Sequence, residues 1–173
     1  MPYDPISEDP DVDPKFPSKL HLLFIDSNGS SIVGRLYNTH GREKHPIVIL
    51  LHGIPGIELN LDLARVICRA EWNVVTFHYR GSWGCEGEFS IQNSIEDAKN
   101  VMSYLKQEEI TSKYNLDTNN IVIIGLSFGG SVALHLAIHD ASITNIASIS
   151  GPDGKIYGNY LKIISMIVQM KKI

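Results

Sequence analysis

Two short segments carry residue types that can do acyl-transfer chemistry. The first is Gly125-Leu126-Ser127-Phe128-Gly129-Gly130, which follows the apolar run Ile121-Val122-Ile123-Ile124 and opens a helical pattern. A serine at a sharp strand-to-helix turn is held in strained backbone geometry, and glycines on either side let neighbouring chain come close. The helix N-terminus then offers free N–H groups and partial positive charge to an oxyanion developing on a substrate. A glycine-flanked serine can also be only a tight turn. The buried strand immediately before it favours the nucleophile.

The second segment is His52-Gly53-Ile54-Pro55-Gly56, at the end of the apolar run Ile47 to Leu51. Active sites of parallel sheets lie beyond the carboxyl ends of the strands, so this loop and Ser127 are expected on one edge. Ile54 keeps a backbone N–H, whereas Pro55 has none. The N–H groups of Ile54 and Phe128 are therefore the candidate oxyanion donors. Packing alone is the plain alternative for a glycine-rich loop, and the nearby elbow argues against it.

The elements that must position these segments follow from periodicity. Leu20 to Ile25 and Ser31 to Tyr37 are β-prone runs flanking Asn28-Gly29, a strong hairpin signal. Ile47 to Leu51 reads as a strand buried on both faces. Leu59, Leu63, Val66, Ile67 and Ala70 follow at helical spacing, then Asn73 to Tyr79 as a strand. Ile95, Ala98, Met102 and Leu105 mark a second helix, Ile121 to Ile124 a third buried strand, Val132 to Ile138 a third helix, and Ile143 to Ile149 a fourth strand. The fold class expected is α/β: a mostly parallel sheet with helices on both faces, preceded by an antiparallel hairpin.

Composition bounds the rest. The chain has 173 residues, 43% apolar and 20% charged, enough for one domain with a core. Fifteen basic against nineteen acidic residues leave no basic excess for nucleic acid. Cys68 and Cys85 make no disulfide framework and no C-x-x-C metal pair, so a reducing, cytoplasmic setting is expected. Neither a signal peptide nor an apolar run of transmembrane length is visible. Proline and aspartate crowd residues 1–18, which read as a surface arm or a disordered leader. Residues 19–154 are the expected domain, and 155–173 an amphipathic helix or tail with Ile156, Tyr160, Ile163, Ile164 and Ile167 in phase.

With the HGIPG loop, His78-Tyr79-Arg80-Gly81-Ser82-Trp83-Gly84 and GLSFGG in this order, the sequence resembles the α/β-hydrolase family from about the hairpin to Ser150. The middle segment, with Gly87 and Phe89 downstream, is most similar to bacterial relatives of prolyl oligopeptidases and serine aminopeptidases. The resemblance implies that Ser127 is the nucleophile, that Ile54 and Phe128 donate the oxyanion hydrogen bonds, and that Arg80 to Gly84 border the pocket. The implied activity is hydrolysis of an ester or peptide bond, with a small-molecule or peptide substrate and no cofactor or metal.

Family members place the triad acid after a later strand, usually the seventh, and the histidine after the eighth. Here the sixth strand ends near Ser150, and a βαβ unit needs about 30 residues. The expectation is a C-terminally truncated domain without the last two strands or the triad histidine. Of the histidines present, His135 lies about 12 Å along the helix that Ser127 opens. His52 is expected to fix the oxyanion loop, and His21, His40 and His45 to lie in or near the hairpin. His78, near a strand end, is the base candidate to test. Asp153, in a P-D-G sequence that also makes common turns, is the acid candidate. Asp97 reads as a solvated helix residue and Cys85 as structural.

The expectation is thus a weak or inactive serine hydrolase. The alternative is a catalytically dead fragment, persisting as a binding or self-associating module or as a pseudogene product. Ile143 to Ile149, apolar and at the sheet edge, is where self-association is expected unless the tail covers it.

Overall fold

Asn28 and Gly29 both adopt positive φ, 52° and 81°, as a two-residue hairpin turn requires. They join β1 (Lys19–Ser27) to β2 (Ser30–Asn38) in a continuous antiparallel register from Lys19–Asn38 to Ser27–Ser30. The computed structural model describes residues 3–54, 59–141 and 143–151. After the hairpin come β3 (His45–Leu51), α1 (Leu61–Arg69), β4 (Asn73–Phe77), α2 (Ile91–Leu105), α3 (Glu108–Lys113), β5 (Leu116–Leu126), α4 (Phe128–His139) and β6 (Ile146–Ile149).

Among the described residues the strands form one six-stranded sheet in the order β1-β2-β4-β3-β5-β6. β2 meets β4 antiparallel, and β4, β3, β5 and β6 are parallel to one another. The expected α/β class with its N-terminal hairpin is what the chain adopts.

Strand periodicity sorts the core into two layers. Ile47, Ile49 and Leu51 of β3 point into a cluster with Ile95 and Ala98 of α2 and Val132 and Leu136 of α4. Val48 and Leu50 point the other way, onto Ala64 and Cys68 of α1 and Val74 of β4. Each such aliphatic side chain contributes about 1.5–3 kcal/mol by burial, which makes β3 a firmly held base for the loop that follows it. Ser90 caps α2 by accepting a hydrogen bond from the Asn93 N–H at 3.0 Å.

Several elements depart from the sequence pattern: β4 ends at Phe77 rather than Tyr79, and β5 begins at Leu116 rather than Ile121. Helix α4 starts at Phe128, four residues before the expected apolar run, because the glycines there pack rather than break the helix. Strand β6 begins at Ile146; Ile143 belongs to a turn in which its N–H donates to Asp140 O at 3.0 Å. Helix α3 was not expected, since Ile110 is its one buried side chain and leaves no periodic stripe.

The N-terminal arm lies against the end of α1. Arg69 donates from Nε to Pro5 O (2.6 Å) and from Nη2 to Ile6 O (3.0 Å), while the Tyr3 hydroxyl donates to Arg69 O. Farther along, the Arg42 guanidinium sits 4.2 Å from the centre of the Phe16 ring. The amphipathic pattern of residues 155–173 and the acid candidate Asp153 lie outside the described residues.

Candidate active site

Ser127 stands between β5 and α4 with φ 51° and ψ −120°, a positive-φ conformation rare for a residue with a Cβ. Such geometry costs about 1–3 kcal/mol and persists only where the surroundings hold it. They do so here through close backbone contact. A Cβ on Gly125 would run into the backbone of Gly129 and Gly130, and one on Gly129 would meet the Leu51 and His52 carbonyls at the end of β3. The two glycines of the G-x-S-x-G pattern are thus where β5, α4 and β3 touch.

The same packing brings the two chemistry-bearing segments together. A Cβ on Gly53 would stand 3.1 Å from Ser127 Cβ and 3.6 Å from Ser127 Oγ. Gly53 and its neighbour Ile54 therefore lie beside the serine, with the Ile54 side chain 60% exposed. Ser127 itself is exposed. Phe128 heads α4, in the turn whose N–H groups have no helical acceptor. Its ring packs edge-on against Tyr79 at 5.7 Å and, tilted by 53°, against Phe89 at 5.7 Å.

The histidines divide by position. His52 is 2% exposed, and its Nδ1 lies 2.7 Å from Gly53 O. Only an N–H can donate to a carbonyl, so that proton sits on Nδ1 and ties the imidazole to its own loop. Burial holds its pKa below the usual histidine range, with the Gly53 bond acting in the opposite sense. His78 lies one residue past β4, its ring 5.3 Å from that of His52. Burial, then the nearby His52 and Arg35, lower its pKa to about 4.

Among the described residues no hydrogen bond joins His78 to Ser127. The strand order puts β3, with His52 at its end, between β4 and β5. At about 4.8 Å per strand, the two chain positions are about 10 Å apart across the sheet. The rings of His135 and His139 lie 4.3 Å apart, tilted by 45°, along α4 and turns away from its start. Among the described residues no imidazole is hydrogen-bonded to Ser127 Oγ.

Asp97 corrects the sequence reading. It is 0% exposed rather than solvated, accepting hydrogen bonds from Arg80 and Ser27. Its spacing to Val101 and Leu105 was the available signal, because three buried positions at i, i+4 and i+8 share one helix stripe. Cys85 is half-buried; its sulfur accepts from the Val33 N–H at 3.2 Å and donates to His78 O at 3.3 Å. Burial pushes that thiol up, away from the reactive thiolate.

The described residues hold no cluster of three or more His, Cys, Asp or Glu placed for a metal ion. None of their helices is long and apolar enough to cross a membrane.

Comparison with known proteins agrees with this architecture. A family model described as BD-FAE matches residues 36–157. An uncharacterized 31.7 kDa protein of the traX-finO intergenic region of Escherichia coli is 31% identical over 113 residues, 62% of this chain and 38% of that protein. The lysophosphatidylserine lipase ABHD12 of Gallus gallus is 30% identical over 121 residues, 68% of this chain and 26% of that one. A lidless a/b serine hydrolase from Xanthomonas campestris superposes with a TM-score of 0.64 at 20% identity, over 83% of this chain and 66% of that one. The chain spans about two fifths of the length of the Escherichia coli protein and about a quarter of ABHD12.

Proposed function

From a chain that belongs to the BD-FAE family and has the α/β-hydrolase fold, we propose a serine hydrolase site that acts on an ester or peptide bond of a small-molecule or peptide substrate. The observation that carries this reading is the strained Ser127 at the head of α4, with the His52–Ile54 loop packed beside it. In the proposed step Ser127 Oγ attacks the carbonyl carbon while a base takes its proton. The carbonyl oxygen becomes an oxyanion between the N–H groups of Ile54 and Phe128. The tetrahedral intermediate collapses with loss of the alcohol or amine, and water then releases the acyl group.

The reading of an ester draws on ABHD12, whose name records a lipase. The base is the weak part of the site. His78 is neutral at pH 7, but a base with a pKa of about 4 has little driving force to accept a serine proton, and β3 stands between the two. Asp153 remains the acid candidate. Turnover by this chain is therefore expected to be slow. Its free thiols Cys68 and Cys85 fit a cytoplasmic setting.

A fluorophosphonate probe tests the reading directly. Covalent labelling of Ser127, located by peptide mapping, supports a live nucleophile; no labelling of folded protein sinks it. The second reading, a binding or self-associating module without turnover, draws on the missing imidazole contact at Ser127 and on β6 closing one end of the sheet among the described residues. Size-exclusion chromatography with light scattering separates them, since a monomer that labels leaves no support for self-association.

A further inference from the structure

The segment between β4 and α2 supplies both rings that pack on Phe128. Tyr79 meets it edge-on and donates its hydroxyl to His52 O at 3.2 Å; Phe89 packs on both rings, 5.7 Å from Phe128 and 6.4 Å from Tyr79. This segment holds a tight course, with left-handed backbone at Gly81 (φ 72°), Trp83 (φ 45°), Gly84 (φ 88°) and Gly87 (φ 79°). Its fixed point is Arg80, between Tyr79 and the first of those turns.

Asp97 of α2 grips Arg80 twice. Its Oδ2 accepts the Arg80 backbone N–H at 2.8 Å, and its Oδ1 accepts Arg80 Nε at 2.6 Å. Oδ1 also accepts the Ser27 hydroxyl at 2.6 Å, and Asn100 Nδ2 donates to that hydroxyl oxygen at 2.8 Å. The outer nitrogen Nη2 of Arg80 reaches Glu96 Oε2 at 2.9 Å and Asn93 O at 3.2 Å. One wholly buried carboxylate thus ties the hairpin turn, α2 and the segment's main chain together.

Stability alone does not call for such a pair, because well-packed apolar residues often serve as well. What a carboxylate adds is direction. Its bond to a backbone N–H sets the path of the chain itself, immediately beside the ring that braces Phe128. We propose that Asp97 is a positioning residue. Through Arg80 its carboxylate fixes the Tyr79–Phe89 wall against Phe128 and so aims the Phe128 N–H at the oxyanion. The role of Phe128 in this inference rests on the hydrolase reading above.

The test compares the full chain with Asp97→Asn and with the double variant Asp97→Leu/Arg80→Met, which keeps apolar packing if the single change fails to fold. Amide hydrogen exchange of residues 80–89 and of Phe128 is expected to speed up about tenfold, the scale of losing one charge-assisted hydrogen bond, while β1, β2 and β3 keep the parent's protection. Fluorophosphonate labelling of Ser127 is expected to reach the same final stoichiometry with kinact/KI about tenfold lower, as misplacement of a donor would produce.

Exchange that rises uniformly across the sheet would make Asp97 merely structural and overturn the proposal. So would unchanged exchange at Phe128, or an unchanged kinact/KI in a parent that labels. A parent that never labels removes the hydrolase reading instead, and exchange at Phe128 then decides by itself whether Asp97 orients that amide.

Discussion

The backbone N–H of Ser127 donates to the carbonyl of Ile149 at 2.8 Å, so the last bond between β5 and β6 is made by the strained serine itself. The serine carbonyl is also occupied, accepting from the N–H groups of Gly130 (2.9 Å) and Ser131 (3.3 Å). Both polar groups of its main chain are thus engaged, and its positive φ is held from both sides. The hydroxyl alone is left to react.

Ser127→Ala is expected to abolish fluorophosphonate labelling while the far-ultraviolet circular dichroism stays that of the parent. The side chain is exposed and makes no hydrogen bond among the described residues, so the fold does not depend on it. Labelling of the alanine variant at the parent's rate would place the reactive group elsewhere.

Gly129→Ala is expected to destabilise the chain by about 1–3 kcal/mol, because the new methyl group overlaps main chain that cannot yield as a side chain would. Urea unfolding measures this. A midpoint equal to the parent's would show that the end of β3 has room to move.

Stability is expected to fall on acidification from neutral pH. His78 has a folded pKa near 4 against an ordinary 6.5, so between those values the unfolded chain binds more protons than the folded one. The contribution is full above about pH 6.5 and is lost as the pH drops toward 4. Discounted for the partial exposure of the ring, it amounts to about 1–2 kcal/mol. Urea melts at pH 7 and pH 4.5 should show a smaller pH difference in His78→Gln than in the parent. An equal difference in both would assign the effect to other groups, His52 first.

Hydrolysis of p-nitrophenyl esters between pH 5 and pH 9 is expected to stay far below the median enzyme rate of about 10 s⁻¹. General-base catalysis is worth about 10²–10⁴-fold, and no imidazole meets Ser127 Oγ among the described residues to supply it. A rate near that median, lost in Ser127→Ala, would reveal a base; loss in His78→Ala as well would identify it.

Local stereochemistry made part of this protein legible in its sequence. Asn28-Gly29 turns the hairpin because few other pairs accept positive φ twice. Ile47 to Leu51 is a central strand because an unbroken apolar run needs cover on both faces. Gly125 and Gly129 mark the elbow because no side chain fits where three backbones touch. Each of these depends on a few adjacent residues and on whether a Cβ has room.

The tertiary structure decided what depends on which segments become neighbours. Asp97 turned out to be buried because Arg80 and Ser27, distant in the chain, arrive to satisfy it; without such partners a carboxylate belongs in water. Ile143 left the strand for a turn that the end of α4 imposes. His78 and Ser127 both stand at strand ends, and no local pattern tells that β3 runs between their strands. Strand order follows from the crossovers and from which faces the helices cover, and those are long-range choices that residue spacing does not encode.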